Sequence, residues 1–286
     1  MSTRFVAPAA SQRASSRRPA GPATLAGVTV GEAVRRPATR RTLFTETILV
    51  LGVSLGASGI WSLLSLVDKL TRQVALNKQT TAMNSSVTPD RPWLDLAYQL
   101  VGIVLALVPV ALALFLLLRD RRDARQAIGF DLHQPGRDVL RGLALAGAVG
   151  IPGLGLYAAA KALGLNTTVA AANLASHWWT VPVLVLAAAQ NAVLEEVVMI
   201  GYLYTRWRQA GWSLPVVMLV SALIRGSYHL YQGFGGFLGN LAMGLIFGWV
   251  YTRTRRVGPL VVAHTTLDVV AFVGYALLKG HLSWLS

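Results

Sequence analysis

The sequence predicts an all-α membrane protein, a polytopic transmembrane helix bundle of about seven spans, with eight as the alternative. Hydrophobic residues make up 54% of the 286-residue chain and charged residues only 13%, and the mean hydropathy is +0.52. Soluble globular domains carry about 25% charged residues, so the composition argues against that class. Seven apolar stretches are long enough, or nearly so, to cross a bilayer as helices.

These stretches follow one another along most of the chain and differ in length. The fifth and sixth are short and almost contiguous through residues 233–236, which is typical of a tight outer hairpin or of an irregular re-entrant region. At about 1.5 Å per residue, the others approach or exceed the roughly 30 Å of a hydrocarbon core. The expected spans are 44–67, 97–118, 139–162, 178–204, 213–231, 234–252 and 258–278.

Positive charge alternates between the connections that join these spans. The chain carries 26 Lys and Arg against 12 Asp and Glu, a formal charge of +14. Eighteen of the cations lie in the N-terminal tail and in every second connection, and six lie on the opposite side. Because Lys and Arg concentrate in cytoplasmic loops, the N-terminus is predicted in the cytoplasm and the C-terminus outside. The positive charge is thus explained by the orientation of the chain in the lipid bilayer, and no nucleic-acid partner is expected.

Three regions are predicted along the chain. Residues 1–42 are rich in Ala, Pro, Ser and Arg and cannot bury a core, which indicates a disordered basic cytoplasmic tail, with a transit peptide as the alternative. Residues 43–177 hold N-terminal transmembrane helices and connectors, and residues 178–286 a transmembrane core that carries the chemistry. Arginine outnumbers lysine 22 to 4, which suggests a GC-rich bacterial genome and hence the cell (plasma) membrane of a bacterium.

Any chemistry must come from oxygen and imidazole groups, because the chain has no cysteine. That absence excludes disulfides, thiolate zinc sites and cysteine nucleophiles. Ionisable side chains at membrane depth are the most informative, since each is costly to insert and is kept mainly for a function. They lie in the fourth, fifth and seventh spans, as Glu195 and Glu196 with Asn191 nearby, as Arg225 and His229, and as His264 and Asp268.

Helix geometry predicts how these side chains can meet. His264 and Asp268 are four residues apart and therefore project from one face. Glu195 and Glu196 are about 100° apart around their helix, so one can serve the site while the other pairs with a cation. Carboxylates and imidazoles converging inside a bilayer can bind a divalent metal or activate a water molecule. The alternative is a buried polar network that only fixes helix packing.

Three motifs on successive helices resemble those of the CPBP family of intramembrane proteases, which includes the CAAX prenyl endopeptidases and the bacterial bacteriocin-processing (Abi) proteins. That family carries EExxxR, then FxxxH, then HxxxN or HxxxD. The resemblance covers roughly residues 178–278, and both the order and the spacing of the motifs fit. They occur here as Glu195-Glu196, as Arg225-Gly-Ser-Tyr-His229 and as His264-Thr-Thr-Leu-Asp268.

Two positions depart from the motifs. Ile200 stands where the family has arginine, and Arg225 stands where it has phenylalanine. We interpret this as the relocation of one positive charge, so that Arg225 neutralises Glu196 in place of the missing arginine. The alternative is a site that has lost its activity.

The resemblance implies an intramembrane endopeptidase acting on a membrane-embedded or membrane-associated peptide. Glu195 is the expected water-activating carboxylate, assisted by His229, while His264 and Asp268 act as metal ligands or oxyanion stabilisers. Because the family has been described both as metalloproteases and as glutamate-type proteases, zinc or another divalent metal stays an open expectation, with His229, His264 and Glu195 as its ligands. Glu196 completes the catalytic set, and the supporting residues are Arg225, Asn191 and Asn240.

One feature of the predicted spans conflicts with a shared site. Glu195, His264 and Asp268 lie roughly 9 to 15 Å from the cytoplasmic ends of their predicted helices, whereas His229 lies roughly 24 Å away. We attribute the difference to misplaced span ends.

Two other functions are compatible with the same residues. Glu, His and Asp inside a membrane also form proton relays, which favours a proton-coupled transporter as the main alternative. A non-catalytic immunity or partner protein of the same fold is the other. The polar residues cluster in the last four spans without an internal repeat, and this pattern favours the protease.

Overall fold

The computed structural model describes residues 38–120 and 123–278, and most of these residues are helical. Most of the predicted tail, the predicted cytoplasmic residues Arg121 and Arg122, and the C-terminus from residue 279 lie outside this range. The helices are α1 (Arg40–Gly52), α2 (Leu55–Thr71), α3 (Pro92–Ala106), α4 (Val108–Leu118), α5 (Ala124–Ala127), α6 (Pro135–Ala162), α7 (Thr180–Glu195), α8 (Leu203–Gln209), α9 (Leu214–Ser227), α10 (Phe234–Thr254) and α11 (Gly258–Leu278).

The structure confirms an all-helical, multi-pass membrane protein. Within the described residues, five helices are long and apolar enough to span a membrane, and α1 with α2, bent by 52°, makes a sixth if the pair is one span. The expected count of about seven was therefore only approximate. The difference arises at α9, whose 14 residues reach only about 21 Å. The five long spans are Pro92–Leu118, Pro135–Ala162, Thr180–Gln209, Phe234–Thr254 and Gly258–Leu278.

The span Thr180–Gln209 lies at the centre of the bundle. Residues within the protein bury 61% of its most apolar window, against 22% or less for each of the other four long spans. Helix α11 packs against α6 and α7, and α10 packs against α9. The side chains of the central span therefore face protein on most sides, which makes it the natural carrier of a buried polar site.

Two short strands form a small parallel sheet that the apolar pattern did not predict. Strand β1 (Thr80–Ala82) follows α2, and β2 (Thr168–Ala170) follows α6. A 3₁₀ turn at Leu230–Gln232 lies beside them, because the backbone N–H of Thr167 donates to the carbonyl of Gln232 at 2.8 Å. This turn connects α9 to α10, so the sheet lies next to the segment that carries His229.

The connection before α6 packs against the tight turn between α10 and α11. Backbone N–H groups of Val257 and Gly258 donate to the carbonyls of Ile128 and Gly129 at 3.0 and 3.1 Å. Arg256 in this turn hydrogen-bonds two acids, Asp131 at 2.9 Å and Asp138 at 2.7 Å. Burial alone would raise the pKa of Asp131, but hydrogen bonds from Arg256 and His133 lower it to about 2. Asp131 is therefore a carboxylate at neutral pH.

Gly129 is expected to be intolerant of a side chain, and Gly129→Ala should lower the free energy of unfolding by about 2 kcal/mol or more. Its φ is +66°, and an added Cβ would lie 2.5 Å from the Cα of Arg256, so backbone would have to move. Thermal unfolding in detergent measures the loss. The control is Gly136→Ala in α6, where an added Cβ meets nothing within 4 Å. Equal melting temperatures for the two variants would contradict this packing.

Candidate active site

The central span changes its winding at the two glutamates. Helix α7 ends at Glu195, a π-helical segment runs over Glu196–Tyr202, and α8 continues the span. All seven residues of the π segment are buried. The Ser221 hydroxyl on α9 donates to the carbonyl of Met199 at 2.8 Å and satisfies one of its backbone groups. Short π segments are rare in helices and frequent at functional sites.

Glu196 is fully buried, and both of its carboxylate oxygens are engaged. Arg225 on α9 donates through Nη1 to Oε2 at 3.2 Å and through Nη2 to Oε1. Nδ1 of His264 on α11 lies 2.8 Å from Oε1. Arg225 thus forms the ion pair with Glu196 that the departure at Ile200 led us to expect. The two-pronged contact is the geometry for which a guanidinium is suited.

Glu195 is held on one side only. Its Oε2 accepts hydrogen bonds from Arg225 Nη2 at 3.1 Å and from the Tyr228 hydroxyl at 2.8 Å. Its Oε1 accepts no hydrogen bond from the described residues, and 10% of the side chain is exposed, against 0% for Glu196. The two neighbouring carboxylates therefore differ, since only Glu195 keeps an oxygen available to a further molecule.

His264 lies between the glutamates and Asp268, which is one turn further along α11. Its Nε2 lies 3.7 Å from Asp268 Oδ1, as expected for residues four apart on one helix face. The side chain of Asn191, one turn before Glu195, interacts with Asp268. Asp268 is the most accessible acid here, with 21% of its side chain exposed, whereas His264 has 4%. The polar cluster thus runs from buried Glu196 towards partly exposed Asp268.

His229 lies just beyond the end of α9. Its Nδ1 donates to the carbonyl of Arg225 at 3.1 Å, which leaves Nε2 as the free nitrogen of a neutral ring. The ring lies against Tyr228, with centroids 4.8 Å apart. The turn that follows is fixed by α2, where the Ser62 hydroxyl accepts from the Tyr231 N–H at 2.6 Å. His229 is therefore held by its local backbone against Tyr228, whose hydroxyl contacts Glu195.

Comparison with known families supports what the motifs suggested. Residues 177–270 match the family model described as Type II CAAX prenyl endopeptidase Rce1-like. This part of the chain is therefore similar to the CAAX prenyl endopeptidases. The match begins within one residue of the predicted core and contains all three motifs. Neither the curated proteins nor the solved structures gave a match. The family that matches is one of endopeptidases, and thus of hydrolases.

Part of the predicted mismatch in depth came from a span end placed too early. The fourth span continues to Gln209, beyond the predicted end at residue 204, so Glu195 lies roughly 20 Å from its end. His229 lies about as far from the start of α9 at Leu214. The two residues are therefore similarly far from the ends of their helices, while the values for His264 and Asp268 are unchanged because their span begins at Gly258 as predicted.

Tyr228 belongs to this polar cluster, although the sequence pattern did not single it out. It is 5% exposed, and its hydroxyl donates to Glu195. Its only signal in the sequence is its position three residues after Arg225, a spacing that places two side chains on one helix face. Asn240, expected as a supporting residue, instead donates its amide N–H to the carbonyl of Gly236 on its own helix at 3.0 Å.

The side chains of this site are of the types that bind a divalent metal, but the space between their donor atoms is taken by Arg225. Glu195, Glu196 and His264 offer ligand atoms within 4.8 Å of one another, a group that could hold a metal ion, and His229 is not part of it. Nη2 of Arg225, however, lies 3.1 Å from both Glu195 Oε2 and His264 Nδ1 and hydrogen-bonds Glu196 Oε1. A cationic nitrogen therefore stands among the three donors, and the set does not fit a divalent ion while Arg225 is in place.

Proposed function

We propose that this protein is an intramembrane endopeptidase that hydrolyses peptide bonds in a membrane-embedded or membrane-associated protein or peptide. The unequal surroundings of the two glutamates carry the proposal. Arg225 and His264 engage both oxygens of Glu196, while Glu195 retains Oε1. A carboxylate held in place, with one oxygen that accepts no hydrogen bond from the described residues, is what a general base for water requires.

In the reaction we propose, Glu195 Oε1 accepts a hydrogen bond from the attacking water. As the water oxygen adds to the carbonyl carbon of the scissile bond, its proton passes to Glu195. The carbonyl oxygen becomes an oxyanion, which we propose accepts a hydrogen bond from the Nε2–H of His264. Asp268 lies beside that nitrogen and favours the protonated ring, and His229 assists the water through Nε2. When the C–N bond breaks, Glu195 returns the proton to the leaving amine. The products are a new carboxyl terminus and a new amino terminus.

The other residues hold this arrangement. Arg225 joins Glu195 and Glu196 across two helices and compensates charge that would be costly to bury unpaired. Tyr228 donates to the same oxygen of Glu195 that Arg225 contacts, and the side chain of Asn191 interacts with Asp268. We place the protein in the plasma membrane of a bacterium on the excess of Arg over Lys, and its N-terminus in the cytoplasm on the charge distribution of the connections.

The test is cleavage by the purified protein in liposomes made in H₂¹⁸O. The substrates are a prenylated peptide ending in a CAAX sequence, chosen from the family description, and an unmodified single-span peptide. We expect two fragments, with one ¹⁸O in the new carboxyl group, by mass spectrometry. No cleavage of either peptide by the folded protein, together with peptide-coupled proton flux into the same liposomes, would favour the transporter and contradict the protease.

Tyr228→Phe should lower kcat by about tenfold with little change in KM, because Glu195 loses the bond that fixes Oε2. Steady-state cleavage of the better substrate measures both constants. The matched control is Tyr204→Phe, since the buried Tyr204 hydroxyl has no hydrogen-bond partner among the described residues. Equal kcat values for the two variants would show that the Tyr228 hydroxyl does not position the base.

A further inference from the structure

We propose that Arg225 is the resident cation of the site, holding the position that a divalent metal would otherwise take. Wild-type protein then needs no bound metal, and the same three donors become a metal site when the guanidinium is removed. The proposal concerns cation binding and can be tested whether or not the protein cleaves peptides.

The first argument is position. Nη2 of Arg225 contacts one donor atom from each residue of the group, namely Glu195 Oε2, Glu196 Oε1 and His264 Nδ1. Zinc binds carboxylate oxygen and imidazole nitrogen at about 2.0 to 2.2 Å. An ion within bonding distance of all three donors would overlap Nη2, so the guanidinium and the metal exclude each other.

The second argument is that neighbouring residues enclose the Arg225 side chain. Its side chain is 1% exposed, and its Cζ lies 5.4 Å from the centre of the Phe247 ring. Gly244 on α10 leaves room for it, because a Cβ there would lie 3.1 Å from the Arg225 Cδ. The stem of the side chain is therefore enclosed, which disfavours a rotamer that would vacate the centre.

The third argument is charge. Glu195 and Glu196 are adjacent in the chain and nearly excluded from water, and two such carboxylates need a compensating cation. Arg225 bonds both of them and supplies one positive charge. A divalent ion added beside it would meet a like charge at close range in a medium of low dielectric constant. Once the arginine is removed, the same two carboxylates favour a metal.

The experiment compares zinc content and thermal stability for wild type, Arg225→Ala and the double variant Arg225→Ala with Glu196→Gln. Each protein is incubated with zinc in detergent, dialysed and analysed by elemental mass spectrometry. We expect less than about 0.1 zinc per wild-type chain and about one per Arg225→Ala chain. Zinc should also raise the melting temperature of Arg225→Ala, as binding to the folded state requires, and the double variant should lose both effects.

Wild-type protein gives a second measurement that does not depend on any variant folding. Its melting temperature should be the same with and without EDTA. Wild-type protein that retains about one zinc per chain, or that is destabilised by EDTA, would overturn the proposal. So would an Arg225→Ala protein that folds and takes up no zinc. These results are read without a substrate, so they stand apart from failure of the protease itself.

Discussion

Glu195→Gln is expected to lower kcat/KM for peptide cleavage by about 10³-fold, within the range that a general base contributes. The amide keeps an oxygen that can accept from Tyr228 and Arg225, so the site should keep its shape. It has no lone pair basic enough to take a proton from water. Because Glu195 is already the less buried of the two acids, the variant should melt close to wild type.

Glu196→Gln provides the contrast on the neighbouring residue. Glu196 is fully buried and paired with Arg225, so neutralising it leaves the arginine short of one counter-charge and should lower the melting temperature markedly. Steady-state cleavage and thermal unfolding in the same detergent separate the two effects. Cleavage by Glu195→Gln within tenfold of wild type would mean that this residue is not the base.

Arg206→Met is expected to lower the free energy of unfolding by about 3 kcal/mol, the lower end for breaking a buried ion pair. Arg206 on α8 is 1% exposed and joins three parts of the chain. It pairs with Asp120 after α4, approaches Glu46 on α1 at 3.6 Å and donates to the Leu116 carbonyl. Arg119 also pairs with Glu46, so that acid keeps one partner and the loss stays moderate.

Arg208→Met on the same helix is the matched control. The Arg208 side chain is exposed and donates to the carbonyl of Trp212, so its removal should cost less than about 0.5 kcal/mol. Unfolding in mixed micelles with increasing SDS measures both variants. Similar losses for the two would contradict a structural role for the buried network around Arg206.

The helical stretches were predictable from apolar length, although α9 is too short to count as a span and the first stretch is a bent pair of helices. The residues at which these stretches end were not predictable. Apolar and aromatic residues continue past Ser227, yet α9 stops there, and nothing in the sequence marks the stop. That early end places His229 in a turn, whereas the sequence placed it in a helix. The metal-capable group then contains Glu196 where the sequence expected His229.

The relocation of a positive charge from position 200 to Arg225 was predictable from the sequence. The different roles of Glu195 and Glu196 were predictable only in part. A missing arginine at Ile200 and an added one at Arg225 leave the charge balance unchanged, which indicated their connection. Adjacent glutamates on a regular helix point about 100° apart, but a π segment begins at Glu196 and was not visible in the sequence. Which oxygen stays open depends on that winding and on the direction of the Tyr228 hydroxyl.

The turn after His229 also bears on how the protein can be divided. The carbonyl of Tyr231 accepts from Lys69 Nζ at 2.8 Å and from the Thr81 hydroxyl at 3.2 Å, and both donors precede residue 177. A fragment limited to the family-matched residues 177–270 would leave that carbonyl and its neighbours without these partners. The first half of the chain therefore supplies hydrogen bonds that the turn after His229 needs, and the two halves, expressed apart, should regain a formed site only when they reassemble.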